Sequence, residues 1–411
     1  MGMVAFFPWL RVAEALQVGG FHLFLHHGGA PLPEAVTASV SQDDLKRLLS
    51  PYRIHAQHAE SAHCLVQLGD SALDAELDSA GREAVFRFAR HLAVAGLATR
   101  RFDGSPLGSY SASGHYQLIV QQFPTPFTGS VVVDHRRKDG HTRVLISPGA
   151  QHFQIPEHLV GQAQPQLDLP LLHALETAHA ALDAKSWGPY EASITQFLMA
   201  NSDSPDVPLD AESIATYAAL ERLVDADKDL KDFQEKFLAC LAVPDGHEWS
   251  GRLRPELLPE REPRDAVGPW LKGLYVLRGN AGHGYPVAKL KSATWEQHEH
   301  LLAGAFVYPL ALKCKLQQAG FYKLTSKDVV DIVGLDLLLE SRPFLGRAGE
   351  GEAGPTAETD AEDATESDGG EPYRGGWPRQ MAVLGEAWAT HELSQYVGEA
   401  HDEAMRRSAE P

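Results

Sequence analysis

The sequence predicts an α+β protein in which a mixed, β-rich region at residues 1–165 precedes an all-helical region at residues 166–345. In the first region, short apolar runs typical of strands alternate with breaks that are rich in Gly and Pro. These runs cover residues 21–25, 116–120 and 131–133. One helix is predicted among them, at about 81–97. Beyond Pro165 the apolar residues recur at helical spacing and the strand pattern disappears, which predicts a domain boundary there.

Helical spacing continues in separate segments through the second region. The first four segments are residues 169–184, 190–200, 210–226 and 228–241. Asp265 and Pro269 predict the start of another helix, through the apolar run at 270–277, because Asp caps helices and Pro suits their first turn. A long helix is predicted at about 293–318. The polar, Pro-rich connection between 241 and 265 is expected to lie on the surface.

Two further segments follow towards the C-terminus. Residues 346–376 are rich in Gly, Ala and Thr, and residues 350–371 contain nine Asp or Glu and no Lys or Arg. Such a segment has little apolar surface to bury, so we predict an acidic, disordered linker. Residues 377–411 regain a helical pattern, which predicts a C-terminal amphipathic helix. Its apolar positions are Leu384, Trp388, Leu393 and Val397.

Charge and composition limit the function classes. The formal net charge of −19 argues against a protein that coats nucleic acid, because phosphate binding is dominated by clustered Lys and Arg. Any contact with RNA is therefore expected to be local. The apolar run at residues 1–10 is followed by Arg11 and lacks a basic leader, and no stretch has the roughly 18 apolar residues of a membrane helix. A cytoplasmic protein without a membrane span or export signal is expected.

No metal and no cofactor are predicted. The cysteines Cys64, Cys240 and Cys314 show no CxxC spacing, so neither a disulfide framework nor a zinc site is indicated. His55, His58 and His63 lie close to Cys64, but their spacing matches no zinc pattern, and solvated or capping side chains are expected. Motifs typical of nucleoside triphosphatases, dehydrogenases, zinc proteases and serine hydrolases do not occur in fitting contexts.

The segment that could carry chemistry runs from residue 274 to 285. Arg278 is a permanent cation, and five residues later His283 has the side chain that normally titrates near neutral pH. In RNA cleavage without a metal, a base removes the 2′-hydroxyl proton and an acid protonates the leaving 5′ oxygen. A cation stabilises the charge that builds on the phosphorane. Arginine and histidine fit these roles.

The spacing alone is weak evidence, because Arg53 and His58 repeat it, as do Arg136 and His141. The segment around Arg278 differs from both, since it follows an apolar helical run and is rich in glycine. On an uninterrupted helix, two residues five apart differ by about 140° and would not share a face. Gly279 and Gly282 offer a way to bend or end the helix.

A family resemblance adds to this interpretation. The pattern Leu-Tyr-Val-Leu-Arg-x4-His-Gly at residues 274–284 resembles the motif of the Apea-like branch of HEPN domains. The helix with Ala219-Leu220-Glu221-Arg222-Leu223 resembles that family's AlExLl helix, 190–197 resembles the helix before it, and 303–322 its closing helix. Residues 20–23 and 153–159 resemble the β-rich region that often precedes such domains. In that family a polar residue usually follows the motif arginine, whereas here Gly279 intervenes before Asn280.

The resemblance implies an all-α bundle that dimerises, so that two Arg/His pairs face one cleft and form a metal-independent endoribonuclease. Its product would be a 2′,3′-cyclic phosphate. Arg278 would orient and stabilise the scissile phosphate, and His283 would act as general acid or base. Glu221 would position Arg278, although a solvated charge on the helix surface is an equal alternative. Asn280 is the candidate for the polar helper role, unless that role is lost.

Alternatives from other classes remain open. The module could bind nucleotide or a partner protein without catalysis. Tyr285 gives the form Arg-x4-His-x-Tyr, which resembles toxins whose tyrosine is nucleotidylated by a partner antitoxin. The expected partners are RNA, with tRNA among the candidates, a second copy of the chain, and a phage or regulatory trigger. The resemblance implies a role in antiviral defence or stress response.

Overall fold

The computed structural model describes residues 1–28, 30–53, 62–100, 111–138, 140–147, 153–160, 166–226, 229–242, 266–284 and 294–340. Within these ranges an antiparallel sheet occupies the first half of the chain and helices dominate the second half. The α+β layout predicted from the sequence is confirmed. The acidic segment at 346–376 and the amphipathic segment at 377–411 lie outside the described residues.

The strands of the first half form one large sheet and one small sheet. They are β1 (Gly2–Phe7), β2 (Leu16–Val18), β3 (Phe21–His27), β4 (Tyr52–Arg53), β5 (Ala62–Leu68), β6 (Ile119–Phe123), β7 (Val131–Arg137), β8 (Gly140–Ile146) and β9 (Phe153–Gln154). The large sheet has the order β2-β3-β5-β1-β6-β7-β8, and its neighbouring strands are antiparallel. β4 and β9 form a separate parallel pair. The apolar start of the chain is thus a central strand, buried along its whole length.

The helices follow in chain order and include several that the sequence pattern did not predict. They are α1 (Gln42–Leu49), α2 (Ser79–Leu97), α3 (Leu169–Ala181), α4 (Ala184–Ala200), α5 (Leu209–Leu223), α6 (Leu230–Cys240), α7 (Val267–His283), α8 (Gln297–Gln318), α9 (Ser326–Val333) and α10 (Leu335–Glu340). The predicted segments agree with α2 to α8, except that α4 begins six residues earlier because Asp183 caps it by accepting a hydrogen bond from Ser186 N. No described helix has both the length and the apolar character of a membrane span.

The sheet is covered on both faces. One face packs against α2, where the rings of Phe21 and Phe88 stack with centroids 4.4 Å apart. The other face packs against α1, where Phe24 lies in the same apolar cluster as Leu45. Because both faces are covered, β5 in the centre is buried at six of its seven residues.

This burial corrects the expectation of a solvated or capping side chain for His63. His63 and its neighbour Cys64 lie on β5 with exposed fractions of 1% and 0%, so both are core residues. The His63 Nδ1 atom is 3.4 Å from the carbonyl oxygen of Pro8, and the Cys64 thiol donates to the carbonyl of Leu10 at 3.1 Å. Burial lowers the pKa of His63 to about 4. His55 and His58 lie outside the described residues.

Helix α2 belongs to both halves of the fold. Its Val94 and Leu97 lie in the helical core, while other residues of the same helix face the sheet. On α3, the buried carboxylate of Glu176 lies 2.6 Å from His91 Nδ1 and 3.5 Å from an Arg87 nitrogen, both on α2. A buried polar contact of this kind needs a defined geometry, so α2 fixes how the helices sit on the sheet.

Candidate active site on helix α7

Helix α7 carries three of the predicted site residues, Arg278, Asn280 and His283. The buried side chains of Trp270, Leu271 and Leu274 anchor this helix in the helical core. The predicted cap Asp265 lies outside the described residues, and the cap that the structure shows comes from α10. There, the Asp336 carboxylate accepts hydrogen bonds from the first backbone N–H groups of α7, each at 3.1 Å.

A close helix contact fixes the middle of α7 against α8. A Cβ atom at Gly273 would lie 2.6 Å from a ring carbon of His300, so glycine is required for this approach. The His300 ring is 1% exposed and lies near Trp270 and Trp295. Burial lowers the pKa of His300 to about 4, which keeps this packed ring neutral at physiological pH.

The helix does not end at the glycines that follow Arg278. Gly279 and Gly282 both lie inside α7, which continues to His283 and ends where Gly284 adopts a left-handed conformation with φ of 69°. Gly279 and Gly282 thus offered a way to end the helix, but neither of them ends it. A glycine in a helix interior weakens it by only about 0.5–1 kcal/mol relative to alanine, which the packing of the preceding turns offsets.

An unbroken helix separates Arg278 and His283 around its axis. At 100° and 1.5 Å per residue they differ by about 140° and are about 7.5 Å apart along the axis. Both side chains are exposed, but they lie on different flanks of α7. Asn280 precedes His283 by three residues and therefore lies on the His283 flank. In one chain the two candidate catalytic groups do not converge on one point.

Arg278 lies on the flank that faces α5. Its guanidinium carbon is 5.0 Å from the centroid of the Tyr217 ring, which is the geometry of a cation–π contact. Tyr217 is 1% exposed, and its hydroxyl donates to Glu221 Oε1 at 3.0 Å. The structure thus brings Glu221 and Arg278 to the same aromatic side chain.

The hydroxyl of Tyr217 stays protonated in this setting. Burial raises the pKa of Tyr217 above its ordinary value, and the neighbouring Glu221 carboxylate raises that pKa further. The protonated hydroxyl can remain the donor to Glu221, which fixes the ring beneath Arg278. Tyr217 was not among the site residues predicted from the sequence, although it lies four residues before Glu221 and so on the same face of α5.

Helix α7 exposes two cationic side chains and a histidine, although the whole chain is acidic. Lys272, Val276, Gly279 and His283 follow each other at steps of four, three and four residues, so they form one flank of α7. Lys272 and His283 are exposed on that flank, while Arg278 is exposed on the other.

Two further points concern the candidate modification site and metal binding. Tyr285, the candidate modification site, lies outside the described residues. Among the residues that the structure describes, no group of three or more His, Cys, Asp or Glu side chains is arranged to hold a metal ion.

The comparisons with known proteins found no match. The chain matches no family model, no curated protein and no solved structure.

Proposed function

We propose that this chain is a metal-independent endoribonuclease whose site is formed by Arg278 and His283 of two copies of the chain. The observation that carries the proposal is the placement of Arg278, an exposed cation held over the buried ring of Tyr217 and five residues before an exposed histidine. The resemblance of residues 274–284 to the HEPN motif supports it. Phosphodiester cleavage needs a cation and a titratable group at one phosphate, and in this proposal two copies of the chain supply them together.

The proposed reaction forms a bond between the 2′ oxygen and phosphorus and breaks the bond between phosphorus and the 5′ oxygen. His283 acts as the general base that takes the 2′-hydroxyl proton, or as the acid that protonates the 5′ oxygen. Arg278 binds the non-bridging oxygens and stabilises the charge of the phosphorane. Asn280 lies on the His283 flank and is the proposed hydrogen-bonding helper. The products are a 2′,3′-cyclic phosphate and a 5′-hydroxyl.

The helix geometry supports a dimeric site. Because Arg278 and His283 lie on different flanks of α7, one copy of the chain presents only one of them to a given phosphate. A twofold symmetric pair would place the Arg278 flank of one copy opposite the His283 flank of the other, and would do so twice. The proposed active form is therefore a homodimer through the helical region.

The test is cleavage of total RNA and of tRNA in EDTA by the purified protein, with mapping of the cleaved ends. Wild type is compared with Arg278→Ala and His283→Ala. The matched controls are Arg222→Ala on α5 and His298→Ala on α8, which remove exposed side chains of the same type elsewhere. We expect cyclic phosphate ends from wild type and both controls, and none from the two site variants. Equal cleavage by all five proteins would reveal a contaminating nuclease.

A second candidate is a helical module that binds nucleotide or a partner protein without catalysis. The separation of Arg278 and His283 in one chain favours it, as does Gly279 in the place of the polar residue that usually follows the motif arginine. In that case the protein would bind RNA or nucleotide through Arg278, and no condition would yield cyclic phosphate ends. RNA binding without cleavage, including in the presence of a phage infection lysate, would support this candidate.

The proposed biological role is antiviral defence or stress response in the cytoplasm, with a phage or regulatory trigger. A toxin of a nucleotidyltransferase pair is the further variant of this role, and it makes a separate prediction. Co-expression with the neighbouring gene would then add the mass of a nucleotide to the peptide that contains Tyr285. An unmodified peptide under these conditions would exclude the toxin variant and leave the ribonuclease proposal intact.

A further inference from the structure

A cleft of about 570 Å³ opens in the sheet region, away from the candidate active site. Four consecutive residues of β6, Ile119 to Gln122, line it, as do the consecutive residues Val131 and Val132 of β7. Successive side chains of a strand point to opposite faces of its sheet. A cleft that touches consecutive residues of both strands therefore runs along the strand edges, between β6 and β7.

The strand pairing explains why the sheet opens there. Among the described residues, β6 and β7 share one pair of Cα partners, Gln122 and Val132, whereas β7 and β8 share seven. The Gln121 side chain donates to the Val132 carbonyl at 3.0 Å, so a side chain bridges the end of the cleft where the strands meet. On the other side of β6, pairing with β1 is continuous. The outer edge of β6 from Ile119 to Gln121 thus has no strand partner in the described part of the chain.

The two walls of the cleft, one on each face of the sheet, differ in chemistry. On the α1 side, the rings of Tyr52 and Phe153 stack with centroids 5.0 Å apart, and Phe153 is 40% exposed. On the α2 side, Phe86 is also 40% exposed and lies one turn from Arg82. Arg82 is the only charged side chain among the described residues that line the cleft. It makes no ion pair with any residue in the described part of the chain.

We infer that this cleft binds an extended peptide segment, which pairs with the free edge of β6 and presents an acidic side chain to Arg82. Addition of a strand to an open edge uses main-chain hydrogen bonds for affinity and side-chain pockets for specificity. The free edge of β6, from Ile119 to Gln121, spans about 10 Å, enough to pair with about three residues of a peptide. This inference is independent of the proposed nuclease activity.

The two walls predict the sequence preference of the peptide. Ile119 packs with the apolar cluster on the α1 face and Val120 with the cluster on the α2 face, so a paired peptide would also alternate between these faces. Side chains that point towards Tyr52 and Phe153 should be apolar or aromatic. The neighbouring side chains point towards Phe86 and Arg82 and should include a carboxylate.

The test is selection of a random seven-residue peptide library, displayed on phage, against the full chain. Three variants are compared with wild type: Arg82→Glu reverses the charge, Gln117→Trp fills the cleft from an exposed lining position, and Lys231→Glu is the charge-reversal control on α6. Thermal melting of each variant shows whether the fold is kept. Wild type and the control should enrich peptides that alternate apolar and acidic residues.

The variants distinguish strand pairing in the cleft from nonspecific adhesion of a peptide to the surface. Arg82→Glu should enrich basic in place of acidic residues, and Gln117→Trp should weaken the best wild-type peptide at least about tenfold in fluorescence anisotropy. N-methylation of the peptide backbone at alternate positions should weaken binding at one set of positions only, because strand pairing uses alternate N–H groups on each edge. No enrichment, or binding that Gln117→Trp and N-methylation leave unchanged, would overturn the inference.

Discussion

The guanidinium of Arg278 lies 5.0 Å above the ring of Tyr217, and this contact joins α7 to α5 at the candidate active site. The phenol beneath it is fixed at its other end by the hydrogen bond to Glu221. Tyr275, three residues before Arg278, meets the same ring edge-on with centroids 5.8 Å apart. Arg278 is an exposed residue, and its contact with the Tyr217 ring restricts its position without burying its charge.

The first prediction concerns this support. Tyr217→Leu removes the ring and should reduce kcat/KM for RNA cleavage about tenfold, because a cation–π contact contributes about 0.5–2 kcal/mol. Tyr217→Phe keeps the ring and removes only the hydroxyl, so it should retain most of the activity. Steady-state cleavage of a fluorogenic oligonucleotide measures both variants.

A variant in the helical core controls for a general loss of stability of the helical region. Phe233 packs edge-on against Tyr217 at 5.1 Å and is fully buried, so Phe233→Leu disturbs the same cluster but leaves the ring beneath Arg278. If Phe233→Leu and Tyr217→Leu lower the melting temperature and the activity equally, Tyr217 has only a structural role.

The second prediction concerns the glycines around Arg278. A Cβ atom at Gly279 would meet nothing within 4 Å and the residue is helical, so Gly279→Ala should stabilise the protein by about 0.5–1 kcal/mol. Gly284 has φ of 69°, so Gly284→Ala should destabilise it by about 1 kcal/mol. Melting temperatures measure the difference, and Gly279→Ala should keep its RNase activity. Loss of activity in a stable Gly279→Ala protein would mean that the helix has to bend there.

Local patterns were sufficient to predict most of the helices. The segments from α2 to α8 have clear helical spacing, and their predicted ends lie within a few residues of the observed ends except at the start of α4. The short helices α1, α9 and α10 were missed because eight residues or fewer give too few repeats for a periodic pattern. The predicted strand at 116–120 was displaced, since residues 113–116 form a helical turn and β6 begins at Ile119.

Only some residues of the candidate site could be predicted from the sequence. Arg278 was chosen from its context and a family resemblance, and Glu221 from that resemblance alone. Their contact through Tyr217 depends on how α5 packs on α7. No local pattern encodes the partner of a side chain on another helix. The end of α7 was uncertain for a related reason, because the conformational freedom of Gly279 and Gly282 permits a helix end but does not impose one. Tertiary packing of the preceding turns decides where α7 ends.

The third prediction tests the shared site. When Arg278→Ala and His283→Ala proteins are mixed in equal amounts and their subunits exchange, half of the dimers should be mixed pairs. Each mixed pair contains one complete site if Arg278 of one copy acts with His283 of the other, so about a quarter of the wild-type activity should return. Each variant alone should remain inactive. A mixture that stays inactive after exchange, verified by native mass spectrometry, would show that both groups act within one copy.

The fourth prediction follows from the buried ring of His300. Its pKa is lowered by burial to about 4, below the unfolded value of 6.5, so the unfolded state binds more protons than the native state between these values. Stability from the neutral ring is present above pH 6.5 and is lost as the pH falls. This residue should therefore lower the free energy of unfolding by about 1.4 kcal/mol per pH unit from pH 6.5 towards pH 4.

His300→Phe isolates this effect, because it keeps a ring between Trp270 and Gly273 and removes the titrating group. His63 and the other buried histidines contribute to both proteins, so they cancel in the comparison. Urea unfolding at pH 7 and pH 5 should show a smaller loss of stability for His300→Phe than for wild type. His298→Phe changes an exposed ring two residues away and should retain the wild-type loss. Equal losses in all three proteins would mean that His300 is protonated in the native state, or reaches water by a local opening of α8.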